Sequence, residues 1–481
     1  MLRPWVFVGF TGHRNLSNPE LIARSLGEAL GRIATRTGSP LAAVSSAAIG
    51  ADTLFVKAVQ QRAIPWILLL PFPPEIFANE QDFPTEADRA AFWKLAESAV
   101  HTHTNPGFKT EQPTTDSREN GFLECGLRTV EECDVLVAVW DGLEPRGLGG
   151  TGRIVAYAHK LKKPVLWIHA ATGKLTEERF DLLKPDPATV PPATGREPLS
   201  TSEQLRQTFA YFDRHAETSA PFAKYLNISV VALHQLSIAI AIAGLIWVAF
   251  GPAASLIKIA ALALALLLPW YFHHRQSAWM DNRLRAELCR SAQAIWNLRQ
   301  HEHIFPALRL PVFESFQRSL LLLRLSAPKS VSDIEPAKAE YAEARIQNQT
   351  DYYTRHARKA QKHRRWVKGL SYTCTGLAIL YGIIVTLHWL PATDTAYHAV
   401  KALSLTLPLG AAALVAAITA QDMDRRAARY TEMAKALASA KVRLEARTTW
   451  EGVATVVIEV ERMLLLEIWE WYSVSRYSGS H

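Results

Sequence analysis

The chain has 481 residues, 49% of them hydrophobic and 20% charged, with a formal net charge of +8. That length calls for more than one domain, and the apolar content excludes a mainly disordered chain. Cys125, Cys133, Cys289 and Cys374 lack paired short spacing, which excludes a disulfide scaffold or a Cys-rich zinc site and fits a reducing cytosol.

Met1 to Phe10 is too short a hydrophobic run for a signal peptide and lacks a small-residue cleavage site, so it reads as a first buried strand. From there to about residue 170 the pattern is strand, glycine-containing turn and helix, repeated. Trp5 to Phe10 leads into Thr11-Gly12-His13-Arg14 and a helix from Pro19. Leu41 to Ser46 leads into Ala48-Ile49-Gly50-Ala51-Asp52 and a helix through Gln61. Ile64 to Leu70 ends at Pro71-Phe72-Pro73, and Val135 to Trp140 ends at Asp141-Gly142. Gly149-Gly150-Thr151-Gly152 opens a helix to Lys160, and Pro164 to Ile168 is the last strand. Apolar strands alternating with helices predict an α/β fold, a doubly wound parallel sheet covered on both faces.

In such sheets ligands bind beyond the carboxyl ends of the strands, where these turns converge. Backbone N–H groups approach a phosphate only where no Cβ intervenes, and helix N-termini add partial positive charge. His13 and Arg14 supply further donors to phosphate, and Asp52, Glu124 and Asp141 are placed to accept from ribose hydroxyls. One glycine turn serves equally to reverse the chain, but three on one edge point to a nucleotide. His101 and His103 fall in a polar loop, and Cys125 and Cys133 lie on or near a helix. A solvated loop and helix packing account for these four better than metal or thiol chemistry.

The stretches Gly9-Phe10-Thr11-Gly12-His13-Arg14, Ser45 to Asp52, Leu70-Pro71-Phe72-Pro73, and Gly149 to Ala158 resemble SLOG domains over roughly residues 3 to 170. SLOG domains are Rossmann-like relatives of the Lonely Guy phosphoribohydrolases and the Smf/DprA proteins. The resemblance implies that a nucleotide or nucleotide-derived signal binds at Gly9, Thr11, Gly12, His13, Arg14, Ser46, Gly50, Asp52, Pro71, Glu124, Asp141, Gly149, Gly150, Thr151 and Gly152, with no metal or further cofactor. The hydrolytic relatives carry Gly-Gly-x-Gly-Thr followed by a glutamate; here Arg153 takes the threonine's place, and Val155 and Ala156 fill the nearby positions. Without a general acid or base in reach, the reading is a receptor with no catalytic residue rather than an enzyme.

Residues 181–222 form a proline-rich linker and a connecting helix from about Ser202 to Lys224. Beyond it a mean hydropathy near zero conceals four long apolar runs, Ile228 to Phe250, Ala253 to Phe272, Gly369 to Leu390 and Ala399 to Ala420. Each is long enough to cross roughly 30 Å of hydrocarbon as a helix. None contains an acidic residue, and Lys258 and Lys401 sit near span ends, where they snorkel. Four buried helices of a soluble core would leave the lack of amphipathic patterning unexplained. There are 18 Lys and Arg residues from His273 to Lys368 and 9 from Gln421 onward, against none in Gly251–Pro252 or Pro391–His398. The expectation is two hairpins, each with its cytosolic helices, within residues 223–330 and 331–481, with both termini and the middle segment cytoplasmic. The cluster from Arg355 to Lys368 abuts a span and reads as a positive-inside anchor on anionic lipid rather than a nucleic-acid site.

Met280-Asp281-Asn282-Arg283 after the first hairpin is echoed by Met423-Asp424-Arg425-Arg426 after the second, consistent with a duplicated unit or an intertwined bundle. The apolar stripe of Val453 to Trp471, opposite Glu459, Glu461, Glu467 and Glu470, points to packing on other helices rather than on anionic lipid. Phe305 to Leu325, broken by Pro306 and Pro311, reads as an interfacial or buried cytosolic helix. Arg345-Ile346-Gln347-Asn348-Gln349, Tyr352-Tyr353, Trp450, Trp469 and Trp471, around two spans, resemble the SLATT family, whose members have two spans, flanking cytosolic helices and frequent association with SLOG domains. Together the resemblances imply a prokaryotic antiphage effector in the bacterial inner membrane: a SLOG-like sensor, residues 1–180, gating a pore-forming or membrane-disrupting, homo-oligomeric SLATT-like platform. A membrane-tethered phosphoribohydrolase and a nucleotide-modulated ion channel outside defence are the alternatives.

Overall fold

The computed structural model describes residues 2, 4–79, 81–104, 114–144, 147–183, 200–246, 251–298, 310–327, 333–391, 395–420 and 423–477. It divides into two compact units: Met1–Gln207 with Arg309–Pro328, and Thr208–Leu308 with Lys329–His481.

In the first unit the chain runs through β1 (Val6–Gly12), α1 (Pro19–Thr37), β2 (Leu41–Ser45), α2 (Ala51–Gln61), β3 (Trp66–Leu70), α3 (Pro74–Phe77), α4 (Glu86–Glu97) and β4 (His101–Thr104). It continues through α5 (Thr115–Glu131), β5 (Val135–Trp140), α6 (Thr151–Lys160), β6 (Val165–His169) and β7 (Leu175–Glu178). The sheet order is β4-β3-β2-β1-β5-β6-β7, parallel from β4 to β6, with β7 antiparallel on the β6 edge. The order reverses between β1 and β5, where Val8 to Gly12 pair with Val135 to Val139. In a parallel-dominated sheet such a reversal opens a crevice beyond the carboxyl ends of the two strands.

The strands are apolar on both faces because helices cover both. Along β1, Val6, Val8 and Phe10 share a core with Ile22, Leu26 and Phe55 of α1 and α2. The alternate residue Phe7 joins Val44, Leu69 and Cys125 on the other side. β5 divides the same way, with Val135, Val137 and Val139 in the first cluster and Leu136 and Ala138 against Ile154 and Val155 of α6. Helix α1 is capped at its start by the Asn18 side chain, which accepts from the Leu21 N–H at 3.1 Å, and ends at Gly38 in the left-handed region, φ 61°.

Two features depart from the sequence expectation. His101 and His103, expected in a polar loop, lie in β4, paired with Ile67 and Leu69. As an edge strand β4 needs a neighbour on one side only, and its His-Thr alternation gives no apolar signal. The second is α9 (Glu314–Leu325), in the chain between the two expected hairpins, which belongs to the first unit. Ser319 Oγ accepts the Trp5 N–H at 2.8 Å, and the Arg318 guanidinium pairs with Asp134, which also accepts the Phe7 N–H at 2.8 Å. Leu322, fully buried, completes the core around Phe7, Val44 and Leu69. The expected soluble domain, residues 1–180, therefore lacks a helix that covers its own sheet. The linker prolines Pro185 to Pro198 and residues 305–309 lie outside the described residues.

The second unit is helical: α7 (Thr201–Ile246), most of which belongs to it, α8 (Gly251–Ala294), α10 (Ile334–Tyr341), α11 (Asn348–Thr386), α12 (Thr395–Ala420), α13 (Met423–Glu445) and α14 (Trp450–Tyr477). A π-helical turn, Ala342–Gln347, joins α10 to α11. Among the described residues, three helices are long and apolar enough to cross a membrane, with windows at Pro252–Tyr271, within Ile334–Thr386, and at Thr395–Ala416. Of the expected first span, Ser229–Ile242 is an apolar helical stretch shorter than a membrane crossing, and residues 247–250 lie outside the described residues. Leu266, Tyr372, Ile379 and Leu405 are exposed along these helices, as a lipid-facing surface requires. Trp366 on α11 and Trp389 just beyond its end are both exposed, and the helix between Trp366 and Thr386 is about 30 Å long, the spacing of aromatic anchors at two membrane interfaces.

Candidate functional site

The crevice at the β1/β5 reversal is built by close backbone approach. The His13 N–H donates to the Val139 carbonyl at 3.1 Å, and the His13 carbonyl accepts the Ala51 N–H at 3.0 Å, so the turn after β1 is pinned between β5 and the start of α2. Gly50, with φ +94°, sits so close that a Cβ would fall 2.1 Å from the Arg14 carbonyl oxygen. A Cβ on Gly12 would meet the Ala51 Cβ at 2.6 Å. Gly9 is pressed on Cys133, Gly149 on Phe122 and Gly152 on the Leu143 carbonyl. Internal packing thus leaves no room for a Cβ at Gly9, Gly12, Gly50 and Gly149 and little at Gly152, and it carries the two loops and the start of α6 to one edge.

His13 and Asp141 meet there. The Asp141 N–H donates to His13 Nε2 at 3.1 Å, and Asp141 Oδ1, 3.2 Å from the same nitrogen, accepts the Leu143 N–H at 3.1 Å. Arg14 reaches the other way. Its Nη2 lies 3.2 Å from Asp82 Oδ1, its guanidinium stands 5.5 Å over the Phe122 ring, and its side chain is 47% exposed. Phe122 is also the neighbour of Gly149, so the turn before α6 and Arg14 share one wall.

Asp52 faces inward. Its Oδ1 accepts from Ser46 Oγ at 2.9 Å and from Ser45 Oγ at 3.3 Å. Burial pushes its carboxyl up to about 7, against the opposing pull of the two serine hydroxyls and the Arg14 charge. Thr151 is buried in the first turn of α6, which Gly150 caps, Pro71 is buried after β3, and Thr11 pairs with Ala138 inside the sheet. Glu124 is exposed on α5, where its charge acts on the Tyr157 hydroxyl of α6. The structure therefore brings His13, Arg14, Asp141 and the turn before α6 to one edge and turns Asp52 and Ser46 toward each other. Cys125 and Cys133 are buried, their thiols pushed up to about 12 and about 11 by desolvation, which suits packing.

Two charged residues of this edge escape sequence reading. Arg118, in the first turns of α5, pairs with Asp82 Oδ2, and its guanidinium stands 5.4 Å over Phe72. Asp82 lies in a turn after α3, far in sequence from both arginines, and no motif contains it.

The described residues of the second unit include a buried ionic centre. Arg345, inside the π-helical turn, is bidentate to Glu461 of α14 at 2.9 and 2.8 Å, and the Tyr341 hydroxyl donates to the same carboxylate at 2.8 Å. Tyr353 donates to Glu467 at 3.3 Å, and burial pushes the Glu467 carboxyl up. The apolar stripe of α14, including Val456, Val457 and Val460, packs on Leu437 and Leu444 of α13 and on Ile346. Helix packing is thus the role of that stripe.

No curated protein matches the chain. Residues 341–471, from the tyrosine of the buried ionic centre through both later apolar helices to α14, match the family model described as the SMODS and SLOG-associating 2TM effector domain 1, so this part of the chain is SLATT-like.

Proposed function

We propose that the chain is a membrane-anchored receptor whose first unit binds a nucleotide or nucleotide-derived signal and whose SLATT region answers by making the membrane permeable, in prokaryotic defence against phage. One observation carries the reading: at the reversal of the sheet, Arg14, the His13–Asp141 pair and the turn capping α6 converge on one edge, in a chain that also carries an effector region described as SLOG-associating. Arg14 supplies a fixed positive charge for a phosphate and the N-terminus of α6 its partial charge. Arg153, Val155 and Ala156, where hydrolytic relatives carry threonine and glutamate, support binding over turnover. Four spans with both termini cytoplasmic, and assembly into a homo-oligomer, complete the proposal, because two hairpins enclose little space for a pore.

The route from receptor to membrane is covalent on both sides. α9 is part of the first unit, and the chain on either side of it belongs to the second. A ligand that favours one arrangement of the first unit biases the membrane helices only through a difference in contacts between two states. The Asp52 carboxyl, pushed up to about 7, favours a second reading, a tethered nucleotide hydrolase with an acid–base group near the crevice. Mass spectrometry of small molecules retained by the full chain purified in detergent tests both. A nucleotide retained intact, and lost in Arg14→Ala, supports the receptor. Release of free base or ribose phosphate supports the hydrolase, and retention unaffected by Arg14→Ala places the site elsewhere.

A further inference from the structure

Asp82 sits between two arginines that come from different elements. Arg14 follows β1 and Arg118 belongs to α5, and each gives one guanidinium to a different oxygen of the same carboxylate. Asp82 is 5% exposed and Arg118 12%, so the pair is closed to water on the α5 side and open at Arg14. The rings of Phe72 and Phe122 lie 5.4 to 5.9 Å from the two guanidinium carbons. Stacking on aromatic faces orients guanidinium planes and turns their N–H edges toward a shared acceptor, and the apolar walls strengthen the charges they confine.

Arg14 and Arg118 thus set two positive charges against the one carboxylate of Asp82. A phosphate dianion in the same place neutralises both guanidiniums and offers more acceptor oxygens to the forks. The carboxylate has a different advantage: it is tethered. The Asn79 Oδ1 accepts the N–H groups of Gln81 and Asp82 at 2.8 and 3.0 Å, and the neighbouring Phe83 is buried 5.4 Å from Phe77 and 5.0 Å from Phe92. A tethered group competes at a high effective concentration, so a free ion displaces it poorly and a ligand with further contacts displaces it well.

We propose that Asp82 is a built-in competitor for the phosphate of the ligand: its carboxylate fills the Arg14–Arg118 pair, a ligand phosphate takes its place, and the exchange keeps the receptor silent to inorganic phosphate. Arg118 thereby becomes a second phosphate-binding residue beside Arg14. The inference rests on the reading of this crevice as a nucleotide site and adds the group that sets its threshold. Ligands that also engage the turn before α6 overcome the carboxylate at low concentration, and inorganic phosphate does so only at high concentration.

The test uses the full chain in detergent or nanodiscs with inorganic phosphate as the probe. Isothermal titration is expected to give at least tenfold tighter phosphate binding for Asp82→Asn than for the wild type, to return to wild-type weakness in Asp82→Glu, and to fall again when Arg118→Ala is added to Asp82→Asn. Equal phosphate affinity in wild type and Asp82→Asn overturns the proposal. A measurement on the wild type alone guards against a variant that fails to fold. Phosphate at high concentration is expected to raise amide exchange at Gln81 to Phe83 above that in chloride of equal ionic strength, and equal exchange overturns the proposal as well. If Asp82→Asn binds phosphate tightly and no nucleotide binds better than phosphate, the exchange stands and the nucleotide reading falls. If one nucleotide binds wild type and Asp82→Asn alike, the nucleotide reading stands and the exchange falls.

Discussion

Truncating Leu322 to alanine isolates the docking of α9 on the first unit. The side chain is fully buried and lies in the core formed by Phe7, Val44, Leu69 and Cys125. Removing a buried leucine side chain costs roughly 2–5 kcal/mol, the transfer of the lost carbons plus the cavity they leave. A twelve-residue helix such as α9 has little stability of its own, so its amide protection comes from docking. A loss of about 3 kcal/mol is a factor of roughly 150 in the opening equilibrium, since 1.4 kcal/mol is tenfold. Hydrogen exchange of the full chain in nanodiscs should therefore show exchange over residues 314–325 faster by about two orders of magnitude in Leu322→Ala. Peptides from α13 and α14 should be unchanged. Asp134→Asn should act in the same direction, because among the described residues it leaves the buried Arg318 guanidinium only Glu314, at 3.0 Å, as counter-charge. Unchanged α9 protection in both variants would refute the docking and, with it, the route by which the first unit is tied into the chain between the hairpins.

Further outcomes follow from particular contacts. Glu461→Gln strips the counter-charge from buried Arg345 and should lower stability by roughly 3–5 kcal/mol. Arg443→Ala, in an exposed pair with Glu459, should cost at most about 1 kcal/mol; thermal unfolding followed by helical circular dichroism compares them, and equal midpoints contradict the account. Asp52, with its carboxyl pushed up to about 7, holds a proton that the unfolded carboxyl loses near pH 3.9. Its stabilising contribution is full below about pH 4 and is lost as pH rises toward 7, an effect on the order of 4 kcal/mol. Asp52→Asn should therefore flatten the pH dependence of unfolding across that window, and an unaltered slope would reject the assignment. Tags at the N-terminus, near Ser330 and at His481 should report the cytoplasm and one at Thr393 the opposite side; a periplasmic signal at Ser330 would sink the two-hairpin topology.

Where local pattern and tertiary demand coincide, the fold is legible in the residues. Val135 to Trp140 is an unbroken apolar run because β5 is covered on both faces, and the helix from Thr151 to Lys160 starts at its glycine turn as expected. β4 is silent because an edge strand of His and Thr lacks both alternation and a continuous apolar run. β7 is antiparallel and half-exposed, beyond the last expected strand. The segment now seen as α9 reads as a buried helix, but its partner is invisible: Asp134 and Trp5 lie 184 and 314 residues from the side chains they meet. The crevice shows the same division. His13, Arg14 and Asp141 are legible because each directly follows a strand end, where an α/β sheet places its ligands. Asp82 and Arg118 are single charges whose meaning arises only when the fold brings them together. At Gly9, Gly12, Gly50, Gly149 and Gly152, expected from sequence to let a phosphate approach, the group that a Cβ would meet is the protein itself.

The most direct test of the receptor–effector account is ion or dye release from liposomes containing the full chain, with and without the nucleotide that the purified protein retains. The account predicts release that depends on the nucleotide, is lost in Arg14→Ala and Gly150→Val although both variants remain in the membrane, and is lost in Leu322→Ala although that variant still binds. Saturating nucleotide binding with no release across lipid compositions, or release equal in the presence and absence of nucleotide, would contradict it.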